Sequence, residues 1–137
     1  VTAAATAARW LLVLVFAATG LGKLLDIQGF AAVLAEYRVL PAAVTAPVGL
    51  ALALGELVVA GGLASRRWLR PAAFGALALS LGNAALLSVT LWRGIALANC
   101  GCFGVHWPRP LQPWTPLEDL VLAGLAALVL ARPEARR

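Results

Sequence analysis

The chain has 137 residues, 62% of them hydrophobic and 12% charged, with a formal net charge of +5 and a mean hydropathy of +0.90. A soluble domain of this size needs more polar surface than that to cover its core, so the composition excludes an ordinary water-soluble fold. The eleven Lys and Arg flank apolar segments, a distribution that serves membrane anchoring and topology and argues against a nucleic-acid partner.

Residues 3–25 form the first apolar run, with Trp10 in its first half and Lys23 near its end. Crossing a hydrocarbon core takes roughly 20 residues, so the run qualifies as a span. With no polar mature domain after it, a span is expected here and not a cleaved leader. Asp26 can cap a following helix in which Phe30, Val33, Leu34, Tyr37 and Leu40 recur at helical spacing, with Gln28, Glu36 and Arg38 between them. This pattern predicts a short amphipathic helix at the membrane surface, ended by Pro41.

The second run, residues 42–65, carries Glu56 well inside it, and Gly49, Gly55, Gly61 and Gly62 are small enough for close helix contact. Arg66, Arg67 and Arg70 make a short basic loop before the third run, residues 71–96. Pro71 suits its first turn, Asn83 is the one strongly polar side chain of its apolar stretch 72–92, and Arg93 marks the far end of that stretch. Residues 99–115 hold Pro108, Pro110 and Pro113 and form a structured loop, because proline interrupts any regular helix. Thr115, Pro116 and Glu118 match an N-cap, a first-turn proline and a capping-box acid, opening a fourth run over 116–132. Trp68, Trp92, Trp107 and Trp114 fall near helix ends, where indoles favour the interface.

The expected fold is an all-α integral membrane protein: a four-transmembrane-helix bundle, with a short amphipathic interfacial helix between spans 1 and 2. With a cytoplasmic N-terminus, that side collects Arg9, Arg66, Arg67, Arg70, Arg132, Arg136 and Arg137, against Lys23, Arg38, Arg93 and Arg109 on the other. The positive-inside rule favours this orientation in a multi-pass cell-membrane protein, with both termini cytoplasmic and the cysteine loop extracytoplasmic. Disulfides form and persist on that face.

The loop begins Asn99-Cys100-Gly101-Cys102-Phe103-Gly104 and contains both cysteines of the chain. Two cysteines flanking one glycine can close a small, strained ring, and strain eases exchange with a partner thiol. The alternatives are idle thiols or a passive local bridge. A metal site of Cys100, Cys102 and His106 lacks a fourth good ligand.

Four short segments occur in order: Gly20-Leu21-Gly22-Lys23-Leu24 with Asp26 and Phe30, then Tyr37-Arg38-Val39-Leu40-Pro41, then Gly55-Glu56-Leu57, then Cys100-Gly101-Cys102-Phe103-Gly104. Together they resemble the MauE branch of the DoxX-like membrane proteins, over about the first three quarters of the chain. The resemblance implies a small four-helix protein of periplasmic thiol and disulfide chemistry that assists a partner, often a thioredoxin-like protein. It assigns no role to Glu118 or Asp119 in the fourth run.

Glu56 and Asn83 both fall in the middle of their spans, where an unpaired carboxylate would cost several kcal/mol. Glu56 is therefore protonated, paired with Asn83, or turned into a polar cavity, either as a proton or quinone site or as a packing contact. Lys23 and Asp26 lie one turn apart and could join Arg93, Glu118 or Asp119 in a charged cluster under the cysteines; snorkelling and capping are the plainer alternative. A cation near a thiolate lowers its pKa. His106 could accept a thiol proton or simply face water.

The leading expectation is a membrane thiol-disulfide oxidoreductase in which Cys100 and Cys102 exchange with an extracytoplasmic thioredoxin-like or other thiol protein. Two cysteines provide no internal relay, so turnover needs a partner or a lipid-soluble carrier such as a quinone. The alternative is a non-catalytic anchor or assembly subunit of a redox complex, with a structural Cys100-Cys102 bridge. A transporter is weaker, since four spans without repeats offer little machinery for alternating access.

Overall fold

The computed structural model describes residues 2–131, so Arg132, Arg136 and Arg137 of the charge count and the last residue of the fourth expected span lie outside it. Among the described residues the regular structure is entirely helical: α1 (Thr2–Leu24), α2 (Ile27–Glu36), α3 (Ala42–Ala64), α4 (Leu69–Trp92) and α5 (Thr115–Ala131). Three of these, α1 from Ala3 onward, α3 and α4, are long and apolar enough to cross a membrane. The fourth expected span, α5, is shorter at 17 residues, about 25 Å at the helical rise.

Local chemistry sets the helix ends. Asp26 caps α2 as expected, its carboxylate accepting from Gly29 N at 2.8 Å. α4 stops at Trp92 instead of running on toward residue 96. Gly94, at φ 73°, donates to Leu91 O while Ile95 N reaches Thr90 O, a glycine-terminated helix end that reverses the chain. The expected capping box of α5 does not form: Thr115 Oγ accepts from Gln112 N, and Glu118 turns to Arg109.

α1 packs chiefly on α3 and α5 chiefly on α4, while α3 against α4 and α1 against α5 close the bundle. The shared core joins Leu12 and Phe16 of α1, Leu63 of α3, Ala73 and Ala76 of α4, and Ala126 and Val129 of α5. Alanine at so many contacts lets the backbones approach closely. Of the small residues expected at contacts in α3, Gly49 meets Phe30 and Leu34 and Gly62 meets Ala72, whereas Gly55 and Gly61 border open space. Large apolar side chains such as Leu14, Val58, Phe74 and Val121 point away from the bundle, a surface suited to lipid and not to water. The chain is a multi-pass membrane protein.

The helices are offset along the bundle. Buried Arg9 of α1 donates to Leu63 O and Ala64 O at the very end of α3 (2.6 and 2.9 Å), capping carbonyls that the helix leaves unpaired. At its other end α1 finishes beside Glu56, 14 residues into α3 (56 − 42), or about 21 Å from where α3 begins. Likewise α5 begins beside Asn83, nine residues (92 − 83) or about 14 Å short of the end of α4. The two offsets leave a recess between the longer reaches of α3 and α4. α2 fills one side of it, with Phe30 and Leu34 against Gly49 of α3. The cysteine loop fills the other, where Leu97 and Cys100 pack with Val33 of α2, Tyr37 at the cap of that helix and Leu87 of α4. α2 is thus a packed wall of the bundle.

Candidate functional site

The loop is folded before it reaches the bundle. Asn99 Oδ1 accepts from Gly101 N at 2.9 Å and Arg109 N at 3.3 Å, while its Nδ2 donates to Gly104 O at 3.1 Å. A short polar side chain bonding the backbone two residues on is the usual chemistry of a turn. Cys100 N donates to Arg109 O (2.7 Å) and Leu111 N to Leu97 O (3.0 Å), so the two arms of the loop are tied together. Gly104, at φ 79°, lies directly against the backbone of Gly22 in α1. A Cβ on Gly104 would collide with the Gly22 carbonyl, and one on Gly22 with the Phe103 carbonyl, so both positions need glycine for the loop to seat.

Seated in this way, the loop presents two free thiols with sulfurs 3.2 Å apart, Cys100 buried and Cys102 half-buried. The Cys100 thiol is drawn down to about 6, chiefly by its hydrogen bond with Cys102, against the opposing effect of burial and with help from the Arg109 charge. Cys102 is pushed well above the ordinary thiol range by the same hydrogen bond and by burial. The pair therefore gives up one proton readily and holds the second.

Two polar pairs support the loop from below. Lys23 Nζ sits 2.7 Å from both carboxylate oxygens of Glu56 and donates to Cys102 O at 3.0 Å. Asn83 Nδ2 donates to Asp119 Oδ2 at 2.8 Å and lies 3.9 Å from Cys102 Sγ. Glu56 thus pairs with Lys23 and not with Asn83, and Asn83 pairs with Asp119 of the helix for which no motif spoke. The charged cluster expected of Lys23, Asp26, Arg93, Glu118 and Asp119 is divided. Arg93 reaches away to Tyr37 O (2.9 Å) and Arg38 O (3.3 Å), latching the end of α2 to the end of α4. Asp26 is occupied with its cap, and Glu118 pairs with Arg109 at 2.7 Å. His106 is exposed on the loop.

Three participants were not singled out as site residues from the sequence. Buried Tyr37 donates its hydroxyl to Cys100 O, and its own ionisation is pushed up by burial and by the neighbouring thiols. Arg109 stands 5.7 Å over the Phe103 ring and is held strongly protonated by its bond to Glu118. Asn99 is the organiser of the turn, and its position directly before the cysteines was the available signal for that role.

A cavity of about 420 Å³ opens beneath the thiols. Cys100, Cys102, Lys23, Glu56, Asn83 and Asp119 all border it, and the rest of its wall is mostly apolar. No group of three or more His, Cys, Asp or Glu suited to a metal ion occurs among the described residues.

Residues 1–132 match the family model described as Methylamine utilisation protein MauE. A Methylamine utilization protein MauE from Paracoccus denitrificans is 37% identical over 123 residues, covering 90% of this chain. The matched stretch spans 66% of that relative's own length. No solved structure matches the chain. The segments that organise the site, from Gly22-Lys23 through Tyr37 and Glu56 to the Cys100–Gly104 loop, all lie within the matched residues, and the chain belongs to the MauE family.

Proposed function

We propose that this chain is an accessory redox protein of the membrane, a thiol-disulfide oxidoreductase whose Cys100 and Cys102 cycle between dithiol and disulfide. The observation that carries this reading is the contact of two free thiols 3.2 Å apart, one of them primed as a thiolate, on a loop held by charged and polar groups from α1, α3, α4 and α5. In exchange, a thiolate attacks one sulfur of a disulfide, the other sulfur leaves, and the resulting mixed disulfide is resolved by the second cysteine. Cys102, the more exposed residue of the two, is the one that a partner thiolate meets, and Cys100, whose thiolate forms readily, is the sulfur that leaves and later resolves. Each cycle moves two electrons and two protons between the pair and a partner dithiol.

The partner is an extracytoplasmic thiol protein of the thioredoxin-like kind, and the relative's name as a methylamine utilization protein connects the cycle with methylamine utilisation. In this reading α1, α3, α4 and α5 all span the bilayer, with both termini cytoplasmic and the cysteine loop facing outward.

Cys100→Ala leaves Cys102 able to form a mixed disulfide and unable to resolve it, so this variant should accumulate a covalent, reductant-sensitive complex with its partner in intact cells. Cys102→Ala should accumulate less. If neither variant forms such a complex while the parent protein remains folded in the membrane, the exchange reading is wrong and the site is the structural core of an anchor subunit.

A further inference from the structure

Ser80 of α4 is 2% exposed, yet its hydroxyl has no hydrogen-bond partner among the described residues. A helical serine usually satisfies itself by bonding a carbonyl in the preceding turn, or by facing water. Ser80 does neither. It borders the 420 Å³ cavity below the cysteines, one turn from Asn83 on the same face of α4.

The rest of the cavity narrows the identity of its occupant. Leu52, Leu79, Leu86 and Leu122 together with Phe16 make most of the wall apolar, so the occupant has an apolar body. The volume is that of a pocket for a small molecule. A lipid acyl chain would leave the Ser80 hydroxyl unsatisfied. Water would bond Ser80 and the polar groups of Lys23, Glu56, Asn83 and Asp119, yet it would leave the leucine and phenylalanine wall without an apolar partner. A planar ring bearing carbonyl oxygens satisfies both requirements: one oxygen accepts from Ser80, and the ring lies against the apolar wall.

We infer that the cavity holds the head of a lipid-soluble quinone, the two-electron acceptor that re-oxidises the cysteine pair. The assignment rests on the exchange chemistry proposed above and adds to it a carrier, a site and a binding residue. In the step, the two S–H bonds of Cys100 and Cys102 break and one S–S bond forms. The sulfurs lose two electrons, and the two quinone carbonyls take up those electrons and two protons to become the hydroxyls of the quinol. A thiolate at Cys100 begins the step with one proton already released to the surroundings, and the same proton count is restored when the quinol forms.

The test uses the full chain in detergent or nanodiscs, reduced and freed of reductant, with a benzoquinone carrying a short alkyl tail as the probe. The expected result is one quinone reduced for each pair of thiols lost. Ser80→Ala should raise about fivefold the probe concentration that half-saturates the single-turnover rate, the worth of one hydrogen bond, with the saturated rate little changed. Ser80→Leu, which fills the cavity, should abolish saturable reduction. Circular dichroism and thermal melting establish that each variant is folded, and Ser80→Ala carries the test if Ser80→Leu does not fold. The inference is overturned if the parent does not reduce the probe, or if Ser80→Ala and the parent reach half-saturation at the same probe concentration. The covalent capture by Cys100→Ala separates the two ideas: capture without quinone reduction removes only the cavity assignment, and loss of both removes the exchange reading as well.

Discussion

At Cys100 and Cys102 the chemistry depends on an unequal division of one proton. The hydrogen bond between the sulfurs stabilises a thiolate on Cys100, and the same contact makes a second ionisation, at Cys102, much harder. Because the folded pKa of Cys100 lies below the ordinary thiol value near 9, the thiolate is populated above about pH 6. Alkylation of the reduced protein by iodoacetamide should therefore rise with a midpoint near pH 6. Cys102→Ser weakens the stabilising contact and should move that midpoint upward; an unchanged midpoint would show that the second sulfur does not set the first. The sign for stability follows from the same depression. Between about pH 6 and 9 the unfolded chain binds more protons than the native one, so the reduced protein should become more stable as pH rises through this window and lose that contribution as pH falls toward 6. Thermal melting of the reduced protein across pH 5 to 9 measures it, with the disulfide form, which has no thiol to titrate, subtracted as the reference.

The elements seat this pair through backbone contact as much as through side chains. Ala in place of Gly in a helix ordinarily adds up to about 1 kcal/mol. At Gly22 the added methyl meets the Phe103 carbonyl, and overpacking of that kind costs about 1–3 kcal/mol. Gly22→Ala should therefore lower thermal stability and, by lifting the loop, speed maleimide labelling of the cysteine pair. Gly55→Ala provides the contrast, since nothing lies within 4 Å of a Cβ there, and it should be neutral or stabilising. If both variants behave alike, the loop is not seated on α1. The sequence made one part of this legible and hid another. Apolar runs announced the long helices, and Asp26 announced the start of α2, because each is a local property of neighbouring residues. Hydropathy alone carries α4 past Gly94, whose left-handed turn ends the helix despite the apolar residues beyond it. The capping box of α5 was a correct local pattern overridden by a tertiary partner, Arg109, which a short-range rule has no means to include.

For the whole molecule the decisive variable is the offset between helices. Hydropathy gives the depth of a residue along its own helix, and on that basis Glu56 and Asn83 belonged together while Lys23 belonged at the surface with Arg93. The shift of α1 along α3, fixed at one end by Arg9 on the last carbonyls of α3, carries Lys23 down to Glu56 and leaves Asn83 for Asp119. Pairing of this kind is set by the packing of small residues between helices and is invisible in any single segment. It also makes a strong test of the architecture. The side chains of Lys23 and Glu56 are 7% and 15% exposed, so removing one partner strands a charged group in an apolar setting. Loss of one member of a buried pair costs about 3–5 kcal/mol, whereas replacing both with apolar groups of similar size is often close to neutral. Lys23→Met and Glu56→Leu should each destabilise the bundle in a reversible unfolding assay in detergent. The double variant should recover most of the loss. Additive losses, with the double variant as unstable as the sum of the singles, would mean that the two side chains do not meet and that the offset of α1 is wrong. The rescued double variant should still differ from the parent at the loop, because Cys102 O has lost the ammonium that donates to it. Its cysteine pair should therefore label faster with maleimide even where stability is restored, separating the part of the ion pair that holds the helices from the part that holds the thiols.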